Sequence, residues 1–201
     1  MRQSPFIPGF QLVLASQSPR RRDLLNMAAL PFVSRPSLIE EIHRPEESAR
    51  AYVARLSSEK AAATSHRDFE GVLAADTTVV VVEGDREVIL EKPADAKQAQ
   101  KMLSLLAGRS HSVLTGICFL WGGKETILVE ETRVYFAPMS SVEIDAYVSS
   151  GEPFDKAGGY AIQGLASRYI SRIEGCYFNV VGLPIHRVAE VLQNAGVLLR
   201  V

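Results

Sequence analysis

The run Val72-Leu73-Ala74-Ala75-Asp76-Thr77-Thr78-Val79-Val80-Val81-Val82 constrains this fold most. It is too rich in β-branched residues for a good helix, because branching at Cβ removes side-chain freedom against the preceding turn. It is apolar at odd and even positions alike, so neither face of a strand built from it can meet water. A central strand is the reading, and Glu83-Gly84-Asp85 turns it back into a partner, Glu87 to Leu90. Asp76 breaks the pattern. A carboxylate inside such a strand is costly unless it is paired or binds a metal. The structural alternative is a strand-end turn or salt bridge, and a functional role is the reading adopted.

The remaining elements arrange themselves around that strand. Leu12 to Ala15 reads as a short buried strand, followed by a turn at Ser16-Gln17-Ser18 and a helix with Ser18 at its N-cap and Pro19 at its first position. A second helix runs from Pro45 to Thr64 with an apolar stripe of Ala49, Tyr52, Val53, Leu56 and Ala63. A third runs from Asp95 to Leu106, closed by Gly108. Strands Ser112 to Trp121 and Thr126 to Phe136 join at Gly122-Gly123. Ser140-Ser141-Val142-Glu143 has the form of a capping box, opening a helix that ends at Gly151. Strands Tyr169 to Ile173 and Cys176 to Val181 follow, turning at Glu174-Gly175, and Pro184 to Ala195 forms the last helix. Hairpins mixed with helices predict an α/β fold with a mixed sheet flanked by helices. At 201 residues and 47% hydrophobic, the chain can build one large domain or two joined lobes without disulfide or metal staples.

The charge balance narrows the partners. Lys and Arg number 22 against 23 Asp and Glu, a net charge of -1, which argues against a general nucleic-acid binder but leaves room for a local anion site. Cys118 and Cys176 stand far apart and make neither a disulfide framework nor a cysteine-rich zinc site. No stretch reaches the roughly 18 apolar residues of a membrane span. Pro5, Pro8 and Gly9 interrupt any signal-peptide core at the N-terminus. A soluble cytoplasmic protein with no membrane partner is the expectation.

Several polar residues fit a structural role badly. Arg20-Arg21-Arg22 lies in the first turn of a helix, where the dipole disfavours cations by about 0.3–1 kcal/mol each. A bound anion reverses that, and the Ser16 and Ser18 hydroxyls, free N–H groups and guanidinium forks make a phosphate cradle. Arginines pointing into water are the competing reading. Lys60 falls on the inward stripe of its helix, seven residues after Val53 and four after Leu56, so it either snorkels or meets an anion. Lys92, before Pro93, is by itself an ordinary solvated lysine. Gly151 to Gly164 is a long irregular segment with Asp155 and Lys156 on one side of Gly158-Gly159 and Gln163 on the other. It matches neither a Walker loop nor a dinucleotide fingerprint. His43, His66, His111 and His186 show no metal-ligand spacing and read as surface or structural. Cations facing phosphates, with carboxylates such as Glu41 and Asp76 for a divalent ion, form the minimal kit for phosphoryl transfer.

Taken together, Leu14-Ala15-Ser16-Gln17-Ser18-Pro19-Arg20-Arg21, Ala75-Asp76-Thr77, Glu91-Lys92-Pro93 and Gly151 to Gly164 resemble the Maf family of nucleoside triphosphate pyrophosphatases. The resemblance runs from Leu12 to the last helix as a single Maf-like domain, residues 1–201. It leaves the first ten residues as an extra N-terminal segment. It implies a fold related to inosine triphosphate pyrophosphatases, with two lobes around a cleft, and homodimers. The implied reaction cleaves between the α- and β-phosphates with Mg²⁺ or Mn²⁺, giving a nucleoside monophosphate and pyrophosphate. Asp155-Lys156-Ala157-Gly158 with Ile162-Gln163-Gly164 resembles the dTTP and UTP subgroup, and the same site would serve either house-cleaning of modified nucleotides or limiting the pool of normal ones. The alternatives are a 7-methyl-GTP preference or a non-catalytic regulator of cell division.

Carried over by position, Asp76 matches the family's catalytic proton acceptor, and Arg20, Thr77 and Gln163 match positions linked with substrate choice. Ser16, Ser18, Arg21, Lys60, Lys92 and Lys156 are the phosphate-binding candidates, with Asp76 and Glu41 as the metal ligands. Ala161 and Ala166 stand where the family pattern leads one to expect glycine.

Overall fold

The computed structural model describes residues 4–199. They form a mixed sheet of seven strands, β1 (Gln11–Leu14), β2 (Val33–Ser34), β3 (Glu70–Glu83), β4 (Arg86–Leu90), β5 (Ser110–Trp121), β6 (Lys124–Phe136) and β7 (Ile170–Glu174), in the order β2-β1-β3-β5-β6-β7, with β4 paired to β3. The chain divides into two units, and β3, β5 and β6 each run from one into the other.

The first unit comprises residues 4–76, 115–130 and 182–199. Here β1 (Gln11–Leu14) lies parallel to β2 (Val33–Ser34) and to the first half of β3 (Glu70–Glu83), with Val13 opposite both Val33 and Val72. Leu12, Val13 and Leu14 are fully buried, as a parallel strand apolar at consecutive positions requires. The helices of this unit are α1 (Pro19–Met27), α2 (Ala49–Ala62) and α6 (Ile185–Asn194). Ser48 caps α2 by accepting from the Ala51 N–H at 3.2 Å, which sets its start four residues after the predicted Pro45. Its buried stripe is Ala49, Tyr52, Val53, Leu56, Lys60 and Ala61. Ala63, expected in that stripe, is instead the exposed C-cap residue. Gly116 on β5 (Ser110–Trp121) lets α2 lie against the sheet, since a Cβ there would sit 2.2 Å from the Val53 carbonyl oxygen. The N-terminal segment is tied to the chain's other end: Ile7 N–H donates to Val197 O at 3.0 Å and Leu199 N–H to Pro5 O at 2.9 Å.

The second unit comprises residues 77–114 and 131–181. The end of β3 pairs antiparallel with β4 (Arg86–Leu90) across a two-residue turn at Gly84-Asp85. The helices α3 (Ala96–Leu106) and α4 (Ser141–Ser149) start on side-chain caps, Asp95 for α3 and the full Ser140/Glu143 capping box for α4. β6 (Lys124–Phe136) pairs antiparallel with β7 (Ile170–Glu174). The core collects Val79, Val81, Leu90, Leu103, Leu106, Val134, Phe136, Tyr147 and Tyr160.

One predicted element is wrong. Cys176 to Val181 was expected as a strand and is a helical turn, α5 (Tyr177–Val181). Its aromatic and β-branched residues favour a strand, but polar anchors override them. Thr132 Oγ1 accepts from Cys176 N–H and donates to Cys176 O, both at 3.0 Å, and the buried Asn179 donates Nδ2 to Val113 O at 2.9 Å. The two-residue strand β2 is too short to leave a periodic signal. Among the described residues no helix is long and apolar enough to cross a membrane.

Candidate active site

In the first unit the chemistry gathers around Asp76. The residue is 5% exposed, at the point where β3 passes from one unit to the other. Lys60, carried inward by the stripe of α2, is 7% exposed. Its Nζ lies 2.5 Å from Asp76 Oδ1 and 2.6 Å from Glu41 Oε1. The inward lysine therefore meets anions rather than snorkelling, and it draws two carboxylates together. Glu41 comes from the long connection between β2 and α2, which α2 holds through Tyr52 Oη donating to Glu41 O at 3.4 Å and Arg55 Nη2 to Ile42 O at 3.0 Å. Arg55 is in turn fixed by Glu47, whose carboxyl its guanidinium holds down at a pKa of about 2.

The arginine triplet divides by direction. Arg22 is exposed, Arg20 is half-buried and Arg21 turns inward. Arg21 Nε donates to Gly182 O at 2.8 Å, and its Nη1 donates to Ala75 O at 2.8 Å and to Ser16 Oγ at 3.2 Å. Burial lowers its pKa, while Asp76 and Glu41 pull it back up and Arg20 opposes them. A guanidinium stays charged throughout. Arg21 thus joins the serine turn, the residue before Asp76 and the Gly182 turn. Ser16 Oγ also accepts from Ser18 N–H at 3.2 Å, so this hydroxyl organises the turn that opens α1. Ser18 sits at the N-cap with extended backbone, and its hydroxyl makes no capping bond.

The second unit carries Thr77, Lys92, Lys156 and Gln163. Thr77 is partly exposed on β3, and Lys92 is exposed just after β4. The neighbouring Glu91 carbonyl accepts from Gly158 N–H at 3.1 Å, which ties the glycine-rich segment to the Glu91-Lys92-Pro93 turn. That segment holds two short 3₁₀ turns, Glu152–Asp155 and Ala157–Gly159, and a third, Leu165–Arg168, follows it. Lys156 closes it on itself, donating Nζ to Glu152 O at 2.6 Å and pairing with the Asp155 carboxylate. Gln163 is exposed at the third position of a turn in which Gly164 N–H donates to Ala161 O at 3.0 Å. Tyr160, 5% exposed, hydrogen-bonds His111 Nε2 at 2.7 Å. Burial lowers His111 to about 3 and raises Tyr160, so both are neutral at ordinary pH.

Compared with known proteins, the chain matches the Maf-like protein family over residues 11–195. The chain belongs to the Maf family. Curated Maf relatives named dTTP/UTP pyrophosphatase include those of Koribacter versatilis, Anaeromyxobacter sp. (strain Fw109-5) and Symbiobacterium thermophilum. The first is 46% identical over 193 residues, covering 94% of this chain and 97% of the relative. The second is 47% identical over 192 residues, with coverage of 93% and 90%. The third is 46% identical over 186 residues, with coverage of 92% and 94%. Among solved structures, a HAM1 protein from Coxiella burnetii aligns with 92% of this chain and 99% of its own. Its TM-score is 0.46 and its identity 16%, a likeness too loose to carry functional detail.

Within this Maf chain, the predicted residues Asp76, Glu41 and Lys60 meet in one cluster, and Ser16 meets Arg21 beside Ala75. Sequence reasoning missed Glu152 and Tyr147, which brace the glycine-rich segment through a 2.6 Å hydrogen bond. Nothing in a Gly-Glu-Pro tripeptide marks its carboxylate as a brace. It also read His111 as surface or structural, and the structure gives the structural role in a buried form. Among the described residues no group of three or more His, Cys, Asp or Glu could hold a metal. The donors that suit a hard cation are the two carboxylates sharing Lys60.

Proposed function

We propose that this Maf-family chain hydrolyses nucleoside triphosphates, dTTP and UTP in preference, to the nucleoside monophosphate and pyrophosphate. One observation carries the chemistry: a nearly buried aspartate at hydrogen-bond distance from a nearly buried lysine that also reaches a second carboxylate. The preference for dTTP and UTP rests on relatives of that name at 44–47% identity over more than nine-tenths of the chain.

Asp76 orients the attacking water and accepts its proton as the α-phosphorus is attacked. Its position is held from behind by Arg21 through the Ala75 carbonyl, and Lys60 holds its carboxylate in place. Arg20, Lys60 and Lys92 offset the charge of the departing pyrophosphate, with the Ser16–Ser18 turn at the helix start as a further anion cradle. Gln163, with one carbonyl and two amide hydrogens, pairs with the O4 and N3–H edge of uracil or thymine, and Thr77 contributes to substrate choice. Asp76 and Glu41 would hold Mg²⁺ or Mn²⁺, which would neutralise phosphate charge and activate water. The chain works as a cytoplasmic homodimer.

The test is pyrophosphate release from dTTP, UTP, CTP, dATP, GTP and 7-methyl-GTP with Mg²⁺ or Mn²⁺. Fastest release from dTTP and UTP is expected. Release from 7-methyl-GTP alone overturns the base preference, and no release from any triphosphate overturns the reaction.

A further inference from the structure

Glu152 is engaged at every polar group of its backbone and side chain. Its N–H donates to Ser150 Oγ at 3.2 Å and its carbonyl accepts from Lys156 Nζ at 2.6 Å. Its carboxylate spans the neck of the glycine-rich segment. Oε1 accepts from Tyr147 Oη of α4 at 2.6 Å and from Ala166 N–H at 3.5 Å, and Oε2 accepts from Leu165 N–H at 2.9 Å. A residue at the start of the segment thus grips the backbone just past its end, and the tyrosine fixes that grip to a helix. Tyr147 is 4% exposed, and burial first, then the hydrogen bond to Glu152, raises its pKa, so it remains a hydroxyl donor.

Gly164 supplies an independent observation. A Cβ there would sit 2.3 Å from both Glu152 carboxylate oxygens, closer than any real contact. Its backbone, at φ -109° and ψ -153°, is open to every residue type, so no turn requires glycine at this position. The carboxylate requires it. Gln163 is the residue before, exposed on the last turn inside the closed neck.

From these contacts we infer that Glu152 is the positioning residue for Gln163. Its carboxylate, held by Tyr147 and received by the bare Cα of Gly164, fixes the turn that presents the base-reading amide. This rests on the reading of Gln163 given above. Charge-assisted bonds from a carboxylate to backbone N–H groups are among the stronger hydrogen bonds of a protein. Without them the turn must be ordered again at each binding event, which weakens binding before it slows chemistry.

The experiment compares KM, kcat and the ratio of kcat/KM for dTTP over CTP in wild type, Glu152→Gln, Glu152→Ala, Gly164→Ala, the Glu152→Ala/Gly164→Ala double variant and Gln163→Ala. Releasing one or two backbone residues raises KM for dTTP roughly tenfold in Glu152→Ala, with kcat changed far less. The dTTP-over-CTP ratio falls toward that of Gln163→Ala. Glu152→Gln retains most of both, because its carbonyl still accepts from Leu165 N–H and its amide can donate to the Tyr147 oxygen. Gly164→Ala behaves like Glu152→Ala, and the double variant is no worse than either single, since the alanine then has no carboxylate to strike. A Gln163→Ala that loses selectivity beside a Glu152→Ala that keeps it overturns the positioning role alone. Penalties that multiply in the double variant do the same. A Gln163→Ala with unchanged selectivity overturns the base-reading role and this inference with it. Melting temperatures recorded alongside show whether Glu152→Ala is folded, and if it is not, Glu152→Gln against Gly164→Ala decides the question.

Discussion

Replacing Lys60 with methionine keeps the volume of the side chain and removes the cation that two carboxylates share. Asp76 loses a partner at 2.5 Å, and its side chain is 8% exposed, so water cannot take the lysine's place. Glu41 loses a partner at 2.6 Å but is 40% exposed and is simply rewetted. At an effective dielectric constant of 20, two charges 2.5 Å apart attract by about 7 kcal/mol before the cost of desolvating them. Removing one partner of such a pair leaves an uncompensated buried charge, for which the net loss is about 3–5 kcal/mol. The charge of Arg21, close enough for Asp76 to raise its pKa, sets the lower end of that range. Asp76→Asn is milder, about 1–2 kcal/mol, because Lys60 keeps Glu41. The double variant Lys60→Met/Asp76→Asn then recovers part of the loss. Urea unfolding followed by the fluorescence of Trp121, the one tryptophan and a residue of the first unit, measures all four proteins. The reasoning is refuted if Lys60→Met lies within 1 kcal/mol of wild type. A double variant less stable than Lys60→Met refutes it equally.

Two further predictions concern acid. His111 is buried neutral with its pKa lowered from 6.5 to about 3, so the unfolded chain takes up a proton that the folded one refuses. Stability is intact above pH 6.5 and falls as pH drops below it, by about 1.4 kcal/mol per pH unit from this residue. His111→Gln removes that part of the slope in unfolding measured from pH 7 to 5. Glu70, at the start of β3, is held down from 4.5 to about 2 chiefly by the two-point hydrogen bonds from Arg35 at 2.9 and 3.1 Å. Its contribution is present above pH 4.5 and is lost as pH falls through about 2, so Glu70→Gln flattens the stability profile there, as acid titration followed by circular dichroism can check.

The sequence carried the fold wherever burial and chemistry agreed. The Val72 to Val82 run, the Ser140 capping box and the Gly122-Gly123 turn are local signals, and each predicted element formed within a few residues. It failed at Cys176 to Val181, where Cys176 and Asn179 bond to Thr132 and Val113, 44 and 66 positions away, and these bonds override a local preference for strand. The site shows the same division. Asp76 and Lys60 were conspicuous because each breaks an apolar pattern, and the structure joins them. Glu41 was marked only by its charge and then by family resemblance, because it lies on an irregular segment with no periodicity to break. Arg21 was read as a phosphate ligand from its charge, whereas its inward bonds to Gly182, Ala75 and Ser16 depend on residues up to 161 positions away. The brace at Glu152 was invisible because its partners are backbone N–H groups, which every residue has.

The central claim is that Asp76 is the proton acceptor of a pyrophosphate-releasing reaction. The most direct measurement is pyrophosphate release from dTTP by wild type and by Asp76→Asn, with dTTP binding measured on both. The account predicts rapid release by wild type, a loss on the order of 10²–10⁴-fold in kcat for the variant, and retained binding. Release by Asp76→Asn within a few-fold of wild type would contradict it.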